Sequence, residues 1–257
     1  MKNLIVAAAL TAAFASSAVT AQSDKPTIVL VHGAFAGTSS WNGVIAQLEK
    51  DGYSVIAAAN PLRSVKADAQ YVADIVAAIP SPVVLVGHSY GGAVISTAAK
   101  SAKNVKALVF VAGFAPDTGE TAAGLSGKFP GSTLGPTLAP PVPLTNGGKD
   151  LYIKQDKFQA QFAADVPPVE ASVMAAGQRP VTEAALNEPA GEPAWKTLPS
   201  WFVYGDKDNN IPAQAQAFMA ERAKSKQTVV VKGASHVVMV SNPKPVVQVI
   251  ESAATMR

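Results

Sequence analysis

The stretch VVLVGHSYGGAV, Val83 to Val94, places a serine where the backbone has to turn sharply. Its four leading apolar residues are typical of a buried strand, and they run into the pattern G-x-S-x-G formed by Gly87, Ser89 and Gly91. A helix-capable run, Ala93 to Lys100, follows. In this setting the pattern predicts a nucleophile elbow, in which flanking glycines remove the Cβ atoms that would collide with neighbouring backbone.

Six short apolar runs predict the strands of one sheet, and their continuous apolar character predicts burial on both faces. They are Thr27–Val31, Tyr53–Ala57, Val83–Val86, Ala107–Val111, Trp201–Tyr204 and Thr228–Val231. Segments with apolar residues at helical spacing lie between them, such as Lys66–Ile79. This alternation predicts an α/β fold with a mostly parallel six-stranded sheet flanked by helices.

Residues 116–199 interrupt the alternation of strands and helices. They are dense in proline and glycine, carry no strong strand pattern, and include two helix-capable pieces, Leu151–Ala164 and Val169–Gly177. A disordered linker is disfavoured because Leu, Phe and Val recur throughout. We therefore predict a helical, proline-rich cap, inserted after the fourth strand and lying over the active face.

The composition is that of a globular protein. Of 257 residues, 48% are hydrophobic and 15% are charged, and the formal net charge is only +3. Because Lys and Arg are dispersed along the chain, no basic patch predicts binding to nucleic acid or to a membrane surface. The chain has no cysteine, which excludes disulfides and thiolate metal sites.

The first 21 residues have the features of a secretory signal peptide. Lys2 precedes an apolar run from Leu4 to Phe14, and small residues follow up to Ala21. The run is too short for stable membrane anchoring, which takes about 20 mostly apolar residues. We expect cleavage after Ala21, export to the periplasm or beyond, and a single domain over residues 22–257.

A serine hydroxyl needs a general base, and the chain offers three histidines. His32 follows the first predicted strand and His88 lies inside the elbow, and structural roles are expected for both. His236 lies on the loop after the last strand, and loops at the carboxyl ends of strands hold the site in α/β sheets. Position therefore favours His236 as the base.

The base in turn needs a carboxylate to orient it. Asp206 and Asp208 both lie in the loop after Trp201–Tyr204. Spacing from the strand does not separate the two, and one of them is expected to be only a solvated turn residue.

The chain order Ser89, Asp206 or Asp208, His236 resembles that of the α/β-hydrolase superfamily, over essentially the whole chain after the leader. Within it, the six-strand core that begins with LVHGAF (30–35) is similar to a compact serine esterase branch. That branch holds plant methylesterases, hydroxynitrile lyases and bacterial esterases such as pyrethroid hydrolases.

The resemblance implies roles for further residues. Relatives carry the acid at the fourth position of a G-x-x-D-x-x-x-P stretch, which Gly205, Asp208 and Pro212 match, so the resemblance implies Asp208. It also implies an oxyanion hole formed by the backbone N–H groups of Ala34 and Tyr90, each contributing roughly 3 kcal/mol to lowering the barrier.

The predicted function is hydrolysis of a small-molecule carboxylic ester through an acyl-enzyme, with no metal or organic cofactor. Phe35, Phe114 and Val237, and the cap residues Phe129 and Phe162, are expected to face the pocket. No Lys or Arg cluster lies near a motif, so a neutral, fairly apolar ester is favoured. No oligomeric state is predicted.

Other functions stay open on the same residues. The triad does not separate an esterase from a thioesterase, lactonase, amidase or cofactor-free dioxygenase. The lyases of this branch typically carry Thr and Lys where Ala34 and Val237 stand, which disfavours cyanohydrin cleavage. Ser89 disfavours dehalogenases and epoxide hydrolases, which use Asp. A protein of different class, which binds a ligand in this fold without turnover, is a further alternative.

Overall fold

The computed structural model describes residues 25–256. The predicted signal peptide, residues 1–21, lies outside the described residues. The strands are β1 (Thr27–Val31), β2 (Val55–Ala58), β3 (Val83–His88), β4 (Val105–Val111), β5 (Val142–Pro143), β6 (Lys149–Leu151), β7 (Val181–Thr182), β8 (Ser200–Gly205) and β9 (Gln227–Val231).

The helices are α1 (Asn42–Lys50), α2 (Val65–Ala77), α3 (Tyr90–Ala98), α4 (Ala122–Gly127), α5 (Leu134–Thr137), α6 (Gln155–Phe162), α7 (Pro168–Ala176), α8 (Glu183–Leu186), α9 (Ala213–Arg222), α10 (Val238–Ser241) and α11 (Pro243–Thr255). Short 3-10 helices cover Thr38–Trp41 and Ala194–Lys196. Within the described residues, no helix is long and apolar enough to cross a membrane.

The central sheet has the strand order β2-β1-β3-β4-β8-β9, and every neighbouring pair is parallel. Each of the six predicted strands is present, with ends that differ by no more than two residues. The predicted α/β architecture is therefore confirmed. Because all six strands run the same way, their carboxyl ends meet at one edge of the sheet, where the functional loops gather.

The two outer strands differ from the prediction. We expected all six strands to be buried on both faces, and this is wrong for β2 and β9, where Ile56 is 37% exposed and Val230 is 51% exposed. By contrast, β1, β3 and β8 are buried along their whole length. An edge strand has one neighbour only, so the flanking helices cover it less completely than they cover the centre.

The cap contains strands that the sequence did not predict. β5, β6 and β7 form a small antiparallel sheet in the order β5-β6-β7. The helix expected over Leu151–Ala164 begins only at Gln155, because Leu151 belongs to β6. Strands of two or three residues are too short to show an alternating pattern, which explains the omission.

The two ends of the cap leave the core side by side. The indole N–H of Trp195, near the end of the insertion, donates to the backbone carbonyl of Pro116, near its start, over 3.0 Å. On the other side of the insertion, Arg63 donates to Asp150 of β6 at 2.6 Å and to the carbonyl of Pro180 at 2.7 Å. The cap is thus fixed to the core at its base and along its small sheet.

Candidate active site

Ser89 lies in the turn between β3 and α3, with φ 52° and ψ −124°. Residues with a side chain rarely adopt such a conformation, and it persists only where the surroundings enforce it. Here the Ser89 N–H donates to the carbonyl of Ala112 at 3.1 Å, and the Ser89 carbonyl accepts from the N–H groups of Gly92 at 2.9 Å and Phe114 at 3.0 Å. The serine is therefore held rigidly at the carboxyl end of the sheet.

The glycines of the elbow are required by close backbone approaches. A Cβ atom on Gly87 would lie 2.5 Å from the carbonyl oxygen of Gly91, and one on Gly91 would collide with the carbonyl oxygen of Val31. A Cβ atom on Gly33 would lie 2.5 Å from Cβ of Ser89. The G-x-S-x-G pattern thus lets the elbow pack directly against β1 and the loop that follows it.

His236 and Asp208 form a buried pair. The Nδ1 atom of His236 lies 2.7 Å from Oδ2 of Asp208, and the two side chains are only 1% and 0% exposed. The other oxygen of Asp208 accepts from the N–H groups of Asn210 at 2.7 Å and Ile211 at 2.9 Å. Because a carboxylate oxygen only accepts, Nδ1 of His236 donates, and Nε2 is left to take a proton from another group.

The second candidate carboxylate lies elsewhere. Asp206 accepts the N–H of Gly233 at 2.6 Å and takes part in no contact with His236 among the described residues. Of the two aspartates in this loop, the structure therefore brings only Asp208 to the imidazole.

Ser89 and His236 line the same cavity. Within the described residues, no hydrogen bond joins the Ser89 hydroxyl to the imidazole. Such bonds are often long without substrate and shorten in the reacting complex. The arrangement therefore has a formed His–Asp pair and a serine hydroxyl that is free at the cavity wall.

The two backbone N–H groups expected near the serine are free donors. The N–H of Ala34 has no acceptor among the described residues, whereas that of Phe35 donates to the carbonyl of Arg179 at 2.9 Å. Tyr90 is the first residue of α3, and the first N–H groups of a helix have no partner within it. Its side chain turns away and donates to Asp68 at 2.9 Å, and burial raises the pKa of its phenol.

His32 and His88 are fully buried and do not line the cavity. Burial lowers the pKa of His32 to about 4 and holds the pKa of His88 well below its usual value. The imidazole of His88 lies 3.2 Å, measured from Nε2, from the backbone carbonyl of His236. Both rings are therefore neutral at physiological pH.

The cavity has a volume of about 470 Å³ and a mostly apolar lining. Phe35, Phe114 and Phe162 line it as expected in the sequence, but Val237 and Phe129 do not. Val237 is fully buried, and the ring of Phe129 packs on that of Phe218, 5.6 Å away. The expectation that these two residues face the pocket is therefore not supported.

The cap supplies most of the lining that sequence reasoning did not find. Its apolar contributors are Ala122, Ala123, Leu134, Pro136, Leu138, Leu151 and Leu186. Nothing in their spacing marks them, because they come from short, separate segments that only the fold brings together. Among the described residues, no Lys or Arg lines the cavity, and no group of three or more His, Cys, Asp or Glu side chains could hold a metal ion.

The sheet order and the elbow define a class of protein. Residues 28–249 match the alpha/beta hydrolase family, and the chain belongs to that family. The resemblance stated from the sequence is thereby confirmed.

Curated relatives cover nearly the same length. The chain is 26% identical over 250 residues to an alpha/beta hydrolase of Aspergillus novofumigatus, covering 90% of this chain and 97% of that protein. It is 25% identical over 253 residues to the alpha-hydroxynitrile lyase of Arabidopsis thaliana (90% and 98% covered). It is 24% identical over 244 residues to methylesterase 1 of the same plant (86% and 92% covered).

Solved structures show the same fold. The structure of polyneuridine aldehyde esterase matches with a TM-score of 0.76 at 18% identity, covering 89% of this chain and 98% of that one. A pyrethroid hydrolase matches with a TM-score of 0.70 at 21% identity, with 89% and 96% covered. At these identities the likeness describes the fold alone.

Proposed function

We propose that the protein is a serine esterase that hydrolyses neutral, fairly apolar carboxylic esters. One observation carries this proposal: Ser89, on a strained elbow, opens into the same apolar cavity as His236, whose Nδ1 is bound to the buried Asp208. The similarity to methylesterase 1 over most of both chains supports ester hydrolysis as the reaction.

In the first step the Ser89 hydroxyl attacks the ester carbonyl carbon while Nε2 of His236 takes its proton. Asp208 stabilises the imidazolium that forms, because its Oδ2 already accepts the Nδ1 proton. The free N–H groups of Ala34 and Tyr90 bind the oxyanion, and each such donor lowers the barrier by roughly 3 kcal/mol.

In the second step the tetrahedral intermediate collapses to an acyl-enzyme. The C–O bond to the alcohol breaks, and His236 passes its proton to the leaving oxygen. Water then attacks the acyl carbon, with His236 again taking a proton, and the acid is released from Ser89.

The cavity wall supports the choice of substrate class. An apolar lining favours apolar acyl and alcohol groups, and the lack of Lys and Arg among its described residues leaves no partner for an anionic substituent. Among the described residues of the lining, Glu183 is the one carboxylate, and it lies 3.5 Å from Lys149 at the surface.

The test combines a serine-directed fluorophosphonate with p-nitrophenyl esters of increasing acyl length. We expect stoichiometric labelling of the peptide that contains Ser89, turnover of neutral esters, and loss of both in Ser89→Ala. Ser96→Ala is the matched control, because Ser96 is a buried serine of α3 that does not line the cavity. Folded wild-type protein that neither labels nor turns over any ester contradicts the proposal.

Cyanohydrin cleavage is the second candidate: the similarity to the alpha-hydroxynitrile lyase of Arabidopsis thaliana supports it, whereas Ala34 and Val237 disfavour it. Release of benzaldehyde from mandelonitrile, without ester turnover, would decide for it. A panel of thioesters, lactones and amides separates the other reactions that the same residues allow. Ligand binding without labelling of Ser89 would instead indicate a receptor.

Export remains part of the proposal, on the pattern of residues 1–21. Expression of the full chain in a bacterium, followed by mass spectrometry of the periplasmic protein, tests it. We expect a mature N-terminus at Gln22, and an intact Met1 in the cytoplasmic fraction alone would contradict export.

A further inference from the structure

A carboxylate of the cap, that of Asp165, is hydrogen-bonded to the segment that carries His236. Asp165 lies between α6 and α7, and its Oδ1 accepts from both the backbone N–H of Ser235, at 3.1 Å, and the hydroxyl of Ser235. Its Oδ2 accepts from the side-chain amide of Asn242 at 3.2 Å. Asp165 thus bridges the two ends of residues 235–242, and His236 is the second residue of that segment.

These contacts fix the position of the backbone at Ser235. Ser235 is 2% exposed, and its hydroxyl also lies 3.5 Å from the carbonyl of Phe162 in the same part of the cap. Hydrogen bonds to an ionised acceptor are roughly twice as strong as those between neutral groups. The Phe162 ring packs edge-on against the imidazole of His236 with a centroid separation of 5.1 Å. The cap therefore holds this histidine both through the preceding residue and through its ring.

The residues that follow α7 reach the loop that follows β1. The carbonyl of Arg179 accepts the N–H of Phe35 at 2.9 Å, and Phe35 directly follows Ala34. One cap segment, residues 165–179, is consequently bonded at one end to the loop of the base and at the other end to the loop of the free N–H donor.

We propose that Asp165 is a positioning residue that orients the imidazole of His236 through Ser235. This inference rests on the proposed function. Proton transfer between a serine and an imidazole depends on their separation, and a displacement of about 1 Å costs roughly 100-fold in rate. The contacts between the cap and Ser235 therefore position the general base in addition to enclosing the pocket.

The test compares Asp165→Ala, Asp165→Asn and Ser235→Ala with Asp156→Ala. Asp156 is the matched control, because it is an exposed aspartate of the cap whose carboxylate pairs only with Lys157 among the described residues. We expect Asp165→Ala to lower kcat by about 10- to 100-fold with KM changed by less than about threefold. Asp165→Asn keeps an acceptor oxygen for Ser235 but loses the charge and the acceptor for Asn242, so its kcat should lie between those of Asp165→Ala and wild type.

A second readout does not depend on turnover. The Nδ1 proton of His236, bonded to Asp208, is expected to give a downfield proton NMR resonance in wild type, Asp156→Ala and Asp165→Asn. In Asp165→Ala it should broaden or disappear, because Asp165 no longer fixes the backbone next to His236 and the bond from Nδ1 to Asp208 becomes less well ordered. If wild type hydrolyses no ester, the proposed function fails, but this resonance still tests whether Asp165 positions the ring.

Two results would overturn the inference. The first is Asp165→Ala with the kcat and the resonance of wild type, and the second is an equal loss in Asp156→Ala. If Asp165→Ala melts below the assay temperature, Ser235→Ala decides instead. It removes only the hydroxyl contact and is expected to lower kcat by a smaller factor, and an unchanged kcat and resonance in this variant would refute the role.

Discussion

At the scale of single residues, Asp208 uses one carboxylate oxygen for the imidazole of His236 and the other for the backbone of its own loop. One oxygen accepts from His236, and the other accepts two backbone N–H groups of its own loop. The N–H groups of the loop therefore orient the Asp208 carboxylate, and the carboxylate in turn orients the imidazole of His236. The orientation of the base therefore depends both on the Asp208 carboxylate and on the local turn that it closes.

Replacing Asp208 with Asn should cause a large loss of activity. The amide can turn its N–H₂ group toward Nδ1 of His236, which would leave the imidazole proton on Nε2. A protonated Nε2 cannot accept the proton of Ser89. Comparable changes in serine hydrolases lower kcat by roughly 10⁴-fold. Asp206→Asn is the control and should stay within a few-fold, since within the described residues the Asp206 carboxylate accepts only the N–H of Gly233. Similar losses in both variants of p-nitrophenyl ester hydrolysis would contradict the assignment.

The sequence could predict Ser89 and His236 because a pattern or a position marks each of them. It could not choose between Asp206 and Asp208 without a family resemblance, since two residues in one loop differ only in where their side chains point. The sequence could not predict the role of Asp165, because 70 residues separate it from Ser235 and no motif surrounds it.

At the scale of elements, the elbow lets α3 start almost in contact with β1. The approach depends on Gly91, where a Cβ atom would meet the carbonyl oxygens of Val31 and His32. These acceptors belong to the backbone of a buried strand, so they cannot move aside cheaply. The packing of this helix on the sheet is therefore sensitive to a single methyl group.

Gly91→Ala should lower the free energy of unfolding by about 3 kcal/mol, the upper range for overpacking in a core. Gly127→Ala, at the end of α4, is the matched control, because a Cβ atom there meets nothing within 4 Å. Urea unfolding measures both variants, and we expect Gly127→Ala to change stability by less than about 1 kcal/mol. Equal effects would show that the close approach costs nothing.

The length of an element decided whether the sequence could predict it. The six strands of the central sheet are mostly apolar runs of four to seven residues, and they were predicted with nearly correct ends. The cap strands β5 and β7 have two residues each, and they form only because β6 pairs with both. Tertiary pairing, rather than local sequence, creates them.

At the scale of the whole molecule, two neutral histidines are buried under the site. His32 and His88 have pKa values lowered by burial, to about 4 for His32. When the pH falls below about 6.5, the unfolded chain takes up protons that the folded chain excludes. Stability is therefore expected to fall between about pH 6.5 and 4, opposed only in part by Asp68, whose pKa burial raises.

Comparison with a His32 variant isolates the contribution of His32 to the pH dependence of the free energy of unfolding. Between pH 7.5 and 5.0 this residue alone should reduce the free energy of unfolding by about 2 kcal/mol, from a pKa of 6.5 in the unfolded chain and about 4 in the folded one. His32→Gln does not titrate, so its loss over the same interval should be smaller by that amount. Urea unfolding at the two pH values measures this, and an equal pH dependence in both proteins would contradict it.

The hydrogen bond between Trp195 and Pro116 joins the two points at which the chain enters and leaves the cap. Because these points are neighbours, a cap of another length or origin can be grafted there without displacing the sheet. Such an exchange would replace most of the pocket wall in one event and so alter substrate range. It would also remove Asp165, so a successful graft has to bring its own acceptor for Ser235. The cap can therefore be exchanged only for one that also supports the segment of His236.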